Sequence, residues 1–201
     1  MAIEEVKKVA IAMGQDKVVG EVSSSVDNLL YGESAAFNGT FKLADGRPVS
    51  GVPVYMDIKR SSGTTRRAIG STATDGTFQT RVLLGETTDI SFSTDETWDR
   101  TLGQTPSKSI GVSRVISWKI PASMKHGVTY KVTGQVQPRI AGVNVVLDDG
   151  AKVGSGTTLA DGTFEIVFTP SKIGAKQFRI VTDGEINFSS SKSAFVSVLV
   201  R

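Results

Sequence analysis

The sequence contains no cysteine, and this absence excludes several kinds of site at once. Disulfides, cysteine-ligated zinc, iron–sulfur clusters and a thiol nucleophile all need the missing residue. Histidine occurs once, as His126, beside Gly127 and without a serine or aspartate in a recognisable catalytic motif. The sequence therefore predicts a protein that is not an enzyme, with no catalytic residue, no metal ligand and no cofactor.

Long apolar runs and a strong excess of one charge are also missing. No run approaches the roughly 18 consecutive apolar residues that indicate a membrane-spanning helix. The chain has 23 basic and 20 acidic residues among 201, a net charge of +3, and its basic residues are scattered. A nucleic-acid-binding surface normally concentrates lysine and arginine on one face. We therefore expect neither a nucleic-acid partner nor a membrane span.

The first 19 residues form an extension ahead of the repeated part of the chain. They do not resemble a secretory signal, because charges of both signs stand where such a signal has a basic stretch and then an apolar one. Their pattern fits a short helix or a strand equally, and both alternatives stay open. Because this segment cannot bury its apolar residues alone, we expect it to dock onto a partner subunit, as a strand added to a sheet edge or as a helix in a groove. The candidate docking residues share one helical face: Ile3, Val6, Ala10 and Met13.

Alternation of apolar and polar residues dominates the rest of the chain. Residues 128–136 place their apolar side chains on one face, and residues 164–168 and 78–84 do the same. Short alternating runs with turn residues every 8–12 positions or so are typical of an antiparallel β-sandwich or barrel. The sequence therefore predicts an all-β fold.

The same segments occur twice, in the same order. Gly32 and Gly39 recur with equal spacing as Gly127 and Gly134, and Trp98 of the first copy aligns with Phe188 of the second. Two longer segments also recur: residues 50–58 as 141–149, and Asp-Gly-Thr-Phe at 75–78 and 161–164. This internal repeat predicts one domain present twice. Because Pro121 forces an extended link, we expect the first domain over residues 20–118 and the second over 119–201.

The duplicated Asp-Gly-Thr-Phe motif has three interpretations: a turn, a calcium loop or a duplicated active site. Calcium takes six to eight oxygen ligands, whereas each copy offers one carboxylate, Asp75 or Asp161. A turn uses every residue of the motif, because Asp-Gly is a strong turn pair and the phenylalanine then begins an inward-facing alternation. We therefore expect a turn that anchors the core.

These segments, taken in order, resemble the bacterial immunoglobulin-like domain superfamily. In the first copy the matching residues are Tyr31, Gly32, Ser34, Arg47–Val52, Asp75–Phe78, Trp98 and Ser107–Ser109; in the second they are Gly127, Gly142, Val143, Asp161–Phe164, Phe188 and Ser189–Ser193. The second copy lacks the Gly-x-Pro segment of the first. The resemblance implies two tandem immunoglobulin-like antiparallel β-sandwiches, of the kind that serve as spacers and adhesive modules on prokaryotic surfaces or decorate tailed-phage particles.

The expected function is structural: tandem modules that decorate or build a phage particle or surface filament, located in the virion and associated with other subunits, including copies of the same chain. The alternative is a spacer or carbohydrate-binding accessory of a larger extracellular or cell-surface adhesin or secreted enzyme, with a host-surface glycan as its partner. Trp98 is expected to lie half-buried between the last two strands of its domain. The alternative for Trp98 is a ligand contact, with the indole stacked on a sugar ring.

Overall fold

The computed structural model describes residues 14–185 and 187–201. Throughout these residues the chain forms strands, turns and loops, and no helix occurs in them. The predicted all-β class is confirmed. The candidate docking residues Ile3, Val6, Ala10 and Met13 lie outside the described residues, as does most of the segment whose helix-or-strand choice stayed open.

The chain divides into two units, with the division between Gly111 and Val112. The sequence predicts the boundary between Trp118 and Lys119, which is later in the chain. Val115–Lys119 belongs to the second unit because it forms a strand that pairs with Tyr130–Gln137. Likewise Val18 and Val19 already belong to the first strand of unit 1, although the sequence places them in the extension.

Unit 1 consists of two sheets. A three-stranded sheet has the order β1-β3-β6, and a five-stranded sheet has the order β2-β8-β7-β4-β5. The strands are β1 (Val18–Ser24), β2 (Asn28–Leu30), β3 (Ser34–Leu43), β4 (Pro53–Arg60), β5 (Gly63–Ser71), β6 (Thr77–Leu83), β7 (Thr88–Ser93) and β8 (Lys108–Ser113), the last of which runs across the boundary between the units.

Unit 2 repeats this arrangement with one additional short strand. Its sheets have the orders β9-β11-β14 and β10-β17-β15-β12-β13, with a short strand, β16, beside β15. The strands are β9 (Val115–Lys119), β10 (Ser123–Met124), β11 (Tyr130–Gln137), β12 (Asn144–Asp148), β13 (Lys152–Thr157), β14 (Thr163–Phe168), β15 (Gly174–Thr182), β16 (Ser191–Lys192) and β17 (Val196–Val200). In both units the order is immunoglobulin-like, with strands A, B and E in one sheet and G, F, C and C′ in the other.

Aromatic side chains join the two sheets of unit 1. The ring of Phe92 on β7 lies 5.5 Å from that of Phe37 and 4.9 Å from that of Phe78, both on the opposite sheet. In unit 2, Phe168 on β14 meets Phe178 on β15 edge-on at 5.5 Å. The inward positions predicted from alternation are confirmed, because Phe78, Val82 and Leu84 are buried, as are Phe164, Ile166 and Phe168.

Both Asp-Gly-Thr-Phe motifs form the same turn. The Oδ1 atom of Asp161 accepts hydrogen bonds from the backbone N–H and the hydroxyl of Thr163, at 2.9 and 2.6 Å, and Asp75 does the same with Thr77. The glycines have φ of +77° in the second copy and +80° in the first, which is the region that glycine adopts without strain. The interpretation of the motif as a turn agrees with this geometry.

The repeated spacing of the glycines reflects a close approach across neighbouring strands. Gly134 on β11 lies opposite Phe164, and Gly39 on β3 lies opposite Phe78. A Cβ atom added at either glycine would lie too close to the Cζ and Cε1 atoms of the phenylalanine ring to fit. The glycine therefore leaves room for the ring, so the motif and the glycine ahead of it in the chain form one packing unit.

Candidate binding surface on unit 1

The loop between β7 and β8, residues 94–107, connects two inner strands of the five-stranded sheet and is fixed at its base. Thr94 donates its backbone N–H to the carbonyl of Gly103 at 2.9 Å, and its hydroxyl accepts from the Gly103 N–H at 3.2 Å. Thr105 donates its N–H to the Phe92 carbonyl and accepts from the Phe92 N–H through its hydroxyl, both at 2.9 Å. Both threonines are buried. The loop is therefore built as an ordered extension of the sheet.

The tip of this loop is a tight turn with Trp98 at its second position. The backbone N–H of Thr97 donates to the carbonyl of Arg100 at 3.0 Å, and the Thr97 hydroxyl donates to Asp99 at 2.6 Å. That hydroxyl bond holds the pKa of Asp99 below its usual value. The N–H of Asp16 also donates to the Asp99 carbonyl at 2.9 Å, so the chain ahead of β1 supports the turn.

The side chain of Trp98 is 60% exposed, although the sequence favours a half-buried position for it. Leu102, in the same loop, is also exposed. Phe188, which aligns with Trp98 in the repeat, is 6% exposed and lies beneath the guanidinium of Arg114, 4.5 Å from the ring centre. The hydrogen bonds of the two turns nevertheless place Phe188 at the position of Arg100, because the Phe188 carbonyl accepts from the Glu185 N–H at 2.8 Å as the Arg100 carbonyl accepts from the Thr97 N–H at 3.0 Å. The alignment of Trp98 with Phe188 in the sequence is therefore not kept in the structure.

A cluster of polar side chains adjoins the loop on the outer face of the five-stranded sheet. The hydroxyl of Tyr55 donates to Asp95 at 2.8 Å, and this hydrogen bond raises the pKa of Tyr55. Arg66 on β5 lies over the Tyr55 ring at 4.2 Å and reaches Asp95 at 3.2 Å. Beside them Ser93 donates to Asp57 at 2.6 Å. The cluster ties the start of the loop to strands β4 and β5.

Unit 2 has a different set of polar side chains on the matching face. Arg179 on β15 bonds to Asp148 on β12 at 2.7 Å and lies 4.7 Å from the centre of the Phe195 ring. This contact lowers the pKa of Asp148. Val146 stands where unit 1 has Tyr55. The arrangement of a tyrosine, an arginine and two aspartates beside an exposed tryptophan is therefore specific to unit 1.

Arg114 is a buried arginine of unit 2 that sequence reasoning missed. Its side chain is 1% exposed and donates to Glu185 at 2.7 Å and to the Asp183 carbonyl at 3.2 Å. One signal could have found it, because Arg114 lies between Val112 and Ile116 on an otherwise apolar alternating face. Its contacts fix the loop that carries Phe188, so its role in the structure is support.

The remaining sequence candidates for chemistry lie apart from one another. His126 is exposed, with its Nε2 atom 3.2 Å from the Ser171 carbonyl. Asp75 and Asp161 each bond to the threonine two residues ahead, and these bonds lower the pKa of both carboxyls. Within residues 14–185 and 187–201, no group of three histidine, aspartate or glutamate side chains is placed to hold a metal ion. The described part of the chain also contains no helix that is long and apolar enough to cross a membrane.

Each unit also has a shallow depression on the outer face of its three-stranded sheet. The one in unit 1 is about 500 Å³ and the one in unit 2 about 600 Å³, and each lies over the glycine that faces the motif phenylalanine. Because both copies have this depression at the same glycine, the packing described above accounts for it.

The chain matches no protein-family model and no curated protein. Among solved structures it is similar to the D1–D4 ectodomain fragment of ICAM-5, with 13% identity and a TM-score of 0.43 over 90% of this chain and 53% of that one. It is similar to invasin, described as a bacterial integrin-binding protein, with 15% identity and a TM-score of 0.42 over 90% of this chain and 39% of that one. It is also similar to the adhesin InvE of Yersinia pseudotuberculosis, with 14% identity and a TM-score of 0.39 over 90% and 58%.

The chain thus spans between 39% and 58% of the length of these three structures. At TM-scores below 0.5, these likenesses carry no argument about what this chain binds. A proposal about binding therefore rests on the geometry of the β7–β8 loop.

Proposed function

We propose that the chain is a non-enzymatic adhesive and spacer module of tandem immunoglobulin-like domains on a prokaryotic cell surface. In this proposal the β7–β8 loop of unit 1 is its contact surface, and Trp98 stacks on a sugar ring of a surface glycan. The single observation that supports it is the exposure of Trp98, 60% of whose side chain faces solvent on a turn held by backbone hydrogen bonds.

Exposure of this kind costs free energy, because a buried aromatic side chain stabilises its domain through the apolar area that it removes from water. Trp98 forgoes that gain, because most of its side chain faces solvent. Hydrogen bonds at the base and tip of the loop fix the backbone that carries the indole, so little backbone entropy is lost when a ligand covers it. An uncovered aromatic side chain on a fixed backbone is typical of a recognition site rather than of a packing site.

The surroundings of Trp98 suit a carbohydrate. The apolar C–H face of a pyranose ring can cover a flat indole face, while carboxylates beside it accept hydrogen bonds from the sugar hydroxyls. Glu96 and Asp99 flank Trp98 in the chain and are both exposed. Leu102 supplies further exposed apolar surface in the same loop.

A glycan array probed with the full chain tests this function. We expect the wild type to bind a subset of glycans and Trp98→Ala to bind none of them. The unfolding transition of Trp98→Ala should stay at that of the wild type. Phe195→Ala is the matched control, because Phe195 is a half-exposed aromatic side chain of unit 2 and its loss should leave binding unchanged. Binding that survives Trp98→Ala would rule out the proposed contact.

Decoration of a phage particle and location in the virion stay predictions, as does association with other subunits of a particle or filament. No feature of the described residues bears on the choice between a particle and a cell surface. Neighbouring genes for capsid or tail proteins would favour the particle, and a longer parent chain with further repeats would favour the surface module.

A further inference from the structure

A cleft of about 220 Å³ opens between the two sheets at one end of unit 2. It is lined by the start of β13, the loop of residues 169–173 that joins β14 to β15, and the inner face of β15. The buried side chains of Phe168 and Phe178 form its apolar floor. The loop is held in place, because the Gly127 N–H donates to the Pro170 carbonyl at 3.0 Å. Sites for drug-sized ligands have volumes of roughly 300–1,000 Å³, so this cleft suits a more compact ligand.

Three lysines line this cleft: Lys152, Lys172 and Lys176. Lys176 stands at an inward position of β15, because it alternates with the buried Phe178 and Ile180, and it is half-buried there. None of the three lysines has an ion-pair partner among the described residues. A charge on an inward face is costly unless it is paired, and natural proteins break the alternating pattern at functional sites. The unpaired Lys176 therefore indicates a site for an anion.

The corresponding end of unit 1 is neutralised by its own side chains. The sheet orders make β4, β6 and β7 the counterparts of β12, β14 and β15. The inward face of β7 begins with Thr88, whose hydroxyl donates to the Glu86 carbonyl at 2.7 Å. The Glu86 carboxylate, in the β6–β7 loop, forms an ion pair with Arg60 at the end of β4 at 3.2 Å. The β14–β15 loop contains no acidic residue and carries Lys172, so it does not supply a carboxylate as the β6–β7 loop does.

The residues that line the cleft define the chemistry of its ligand. The lysine ammonium groups donate charge-assisted hydrogen bonds to an oxyanion. Asp149, which is acidic and half-buried, and the hydroxyl of Ser171 also line the cleft, and both can bond to sugar hydroxyls. The apolar floor suits the C–H face of a sugar ring. We propose that the cleft binds an acidic sugar unit, such as a hexuronate, with its carboxylate at the lysines.

This site is separate from the Trp98 contact, because all of its lining residues belong to unit 2. Its ligand also differs, because the cleft selects for a negative charge through the three lysines. The proposal therefore does not rest on the proposed function, and the two can be tested one at a time.

An NMR titration of the isotope-labelled full chain tests the proposal, in a Trp98→Ala background so that Trp98 does not contribute. The probes are glucuronate, glucose, which has the hydroxyls without the charge, and acetate, which has the charge without the hydroxyls. We expect glucuronate to shift the resonances of residues 169–173. We also expect it to bind at least tenfold more tightly than either control, because it alone uses the lysines and the hydroxyl partners together.

Two lysine variants test the contact itself. Lys176→Gln and Lys172→Gln each remove one charge, and each should weaken glucuronate binding about tenfold, as for the loss of a charge-assisted hydrogen bond. Lys172 is exposed, so its variant should unfold as its parent does, and weaker binding then reports the lost contact. Lys119→Gln is the matched control, because Lys119 is an exposed lysine of β9 outside the cleft and its loss should leave binding unchanged.

Three results would overturn the proposal: equal affinities for the three probes, shifts confined to residues outside the cleft, or lysine variants that bind glucuronate as their parent does. A tetraglutamate peptide that binds more tightly than glucuronate would overturn the choice of a sugar. The glycan array is repeated in a Lys176→Gln background, so that each test reports one site. Failure at the cleft then leaves the Trp98 contact standing, and the reverse holds as well.

Discussion

Replacing Gly162 with alanine tests whether the Asp-Gly-Thr-Phe turn is wedged against the neighbouring strand. Gly162 has φ of +77°, and its carbonyl accepts from the Val136 N–H at 2.9 Å. An added Cβ would lie 2.5 Å from the Val136 carbonyl oxygen and 3.0 Å from the Cα of Arg139. Both neighbours are backbone atoms, which cannot rotate out of the way as the end of a side chain can.

The magnitude follows from two contributions. A residue with a Cβ atom in the left-handed region costs about 1–2 kcal/mol. Displacing the turn also weakens the hydrogen bond from Val136 to Gly162, worth about 0.5–1.5 kcal/mol. We therefore expect Gly162→Ala to lower the free energy of unfolding of unit 2 by about 2–3 kcal/mol.

Gly127→Ala is the matched control in the same unit. Gly127 has φ of +73°, but a Cβ there would meet nothing within 4 Å. It should cost only the backbone contribution, about 1–2 kcal/mol. Urea denaturation followed by tryptophan fluorescence measures both variants in a Trp98→Phe background, where Trp118, packed against the core of unit 2, is the sole reporter. Equal losses in the two variants would refute the wedged turn.

Two further predictions concern side-chain hydrogen bonds of unit 2. Arg114→Ala removes the contacts to Glu185 and leaves a void beside Phe188. We expect the free energy of unfolding of unit 2 to fall by about 2–3 kcal/mol, less than for a fully buried pair because Glu185 can rehydrate. A decrease under half of that in urea denaturation would contradict the supporting role. The bond from Thr163 lowers the pKa of Asp161 in the folded state, so its stabilisation is present above the unfolded pKa, near 3.9, and is lost as pH falls through the folded value. The urea midpoint of unit 2 should therefore fall less steeply below pH 4 in Asp161→Asn than in the wild type, and identical pH profiles would contradict this account.

The duplicated fold could be predicted from sequence because its signals are local. Alternation places Phe164 and Ile166 on one face whatever the strand pairs with, and Asp161-Gly162 specifies a turn through its own backbone preferences. The equal spacing of Gly32 to Gly39 and Gly127 to Gly134 indicated the repeat, but only the strand register shows that Gly39 and Gly134 face the motif phenylalanines.

The features that local signals could not predict depend on long-range pairing. Exposure of Trp98 is decided by a turn that bonds to Asp16, far away in the sequence. The pairing of Val115–Lys119 with Tyr130–Gln137 has no local mark in the sequence. Arg114 was missed because its partner Glu185 lies in a loop whose proximity only the fold reveals.

The central claim is that Trp98 serves recognition in unit 1, whereas Phe188, the buried aromatic side chain of the matching loop in unit 2, supports the fold. Unfolding free energies of Trp98→Ala and Phe188→Ala, measured by urea denaturation with circular dichroism, test it most directly. The account predicts a change within about 0.5 kcal/mol for Trp98→Ala, as for a surface substitution, and a loss of about 3–5 kcal/mol for Phe188→Ala, as for a buried phenylalanine. Comparable losses in both variants would contradict it, because Trp98 would then be a packing residue as Phe188 is.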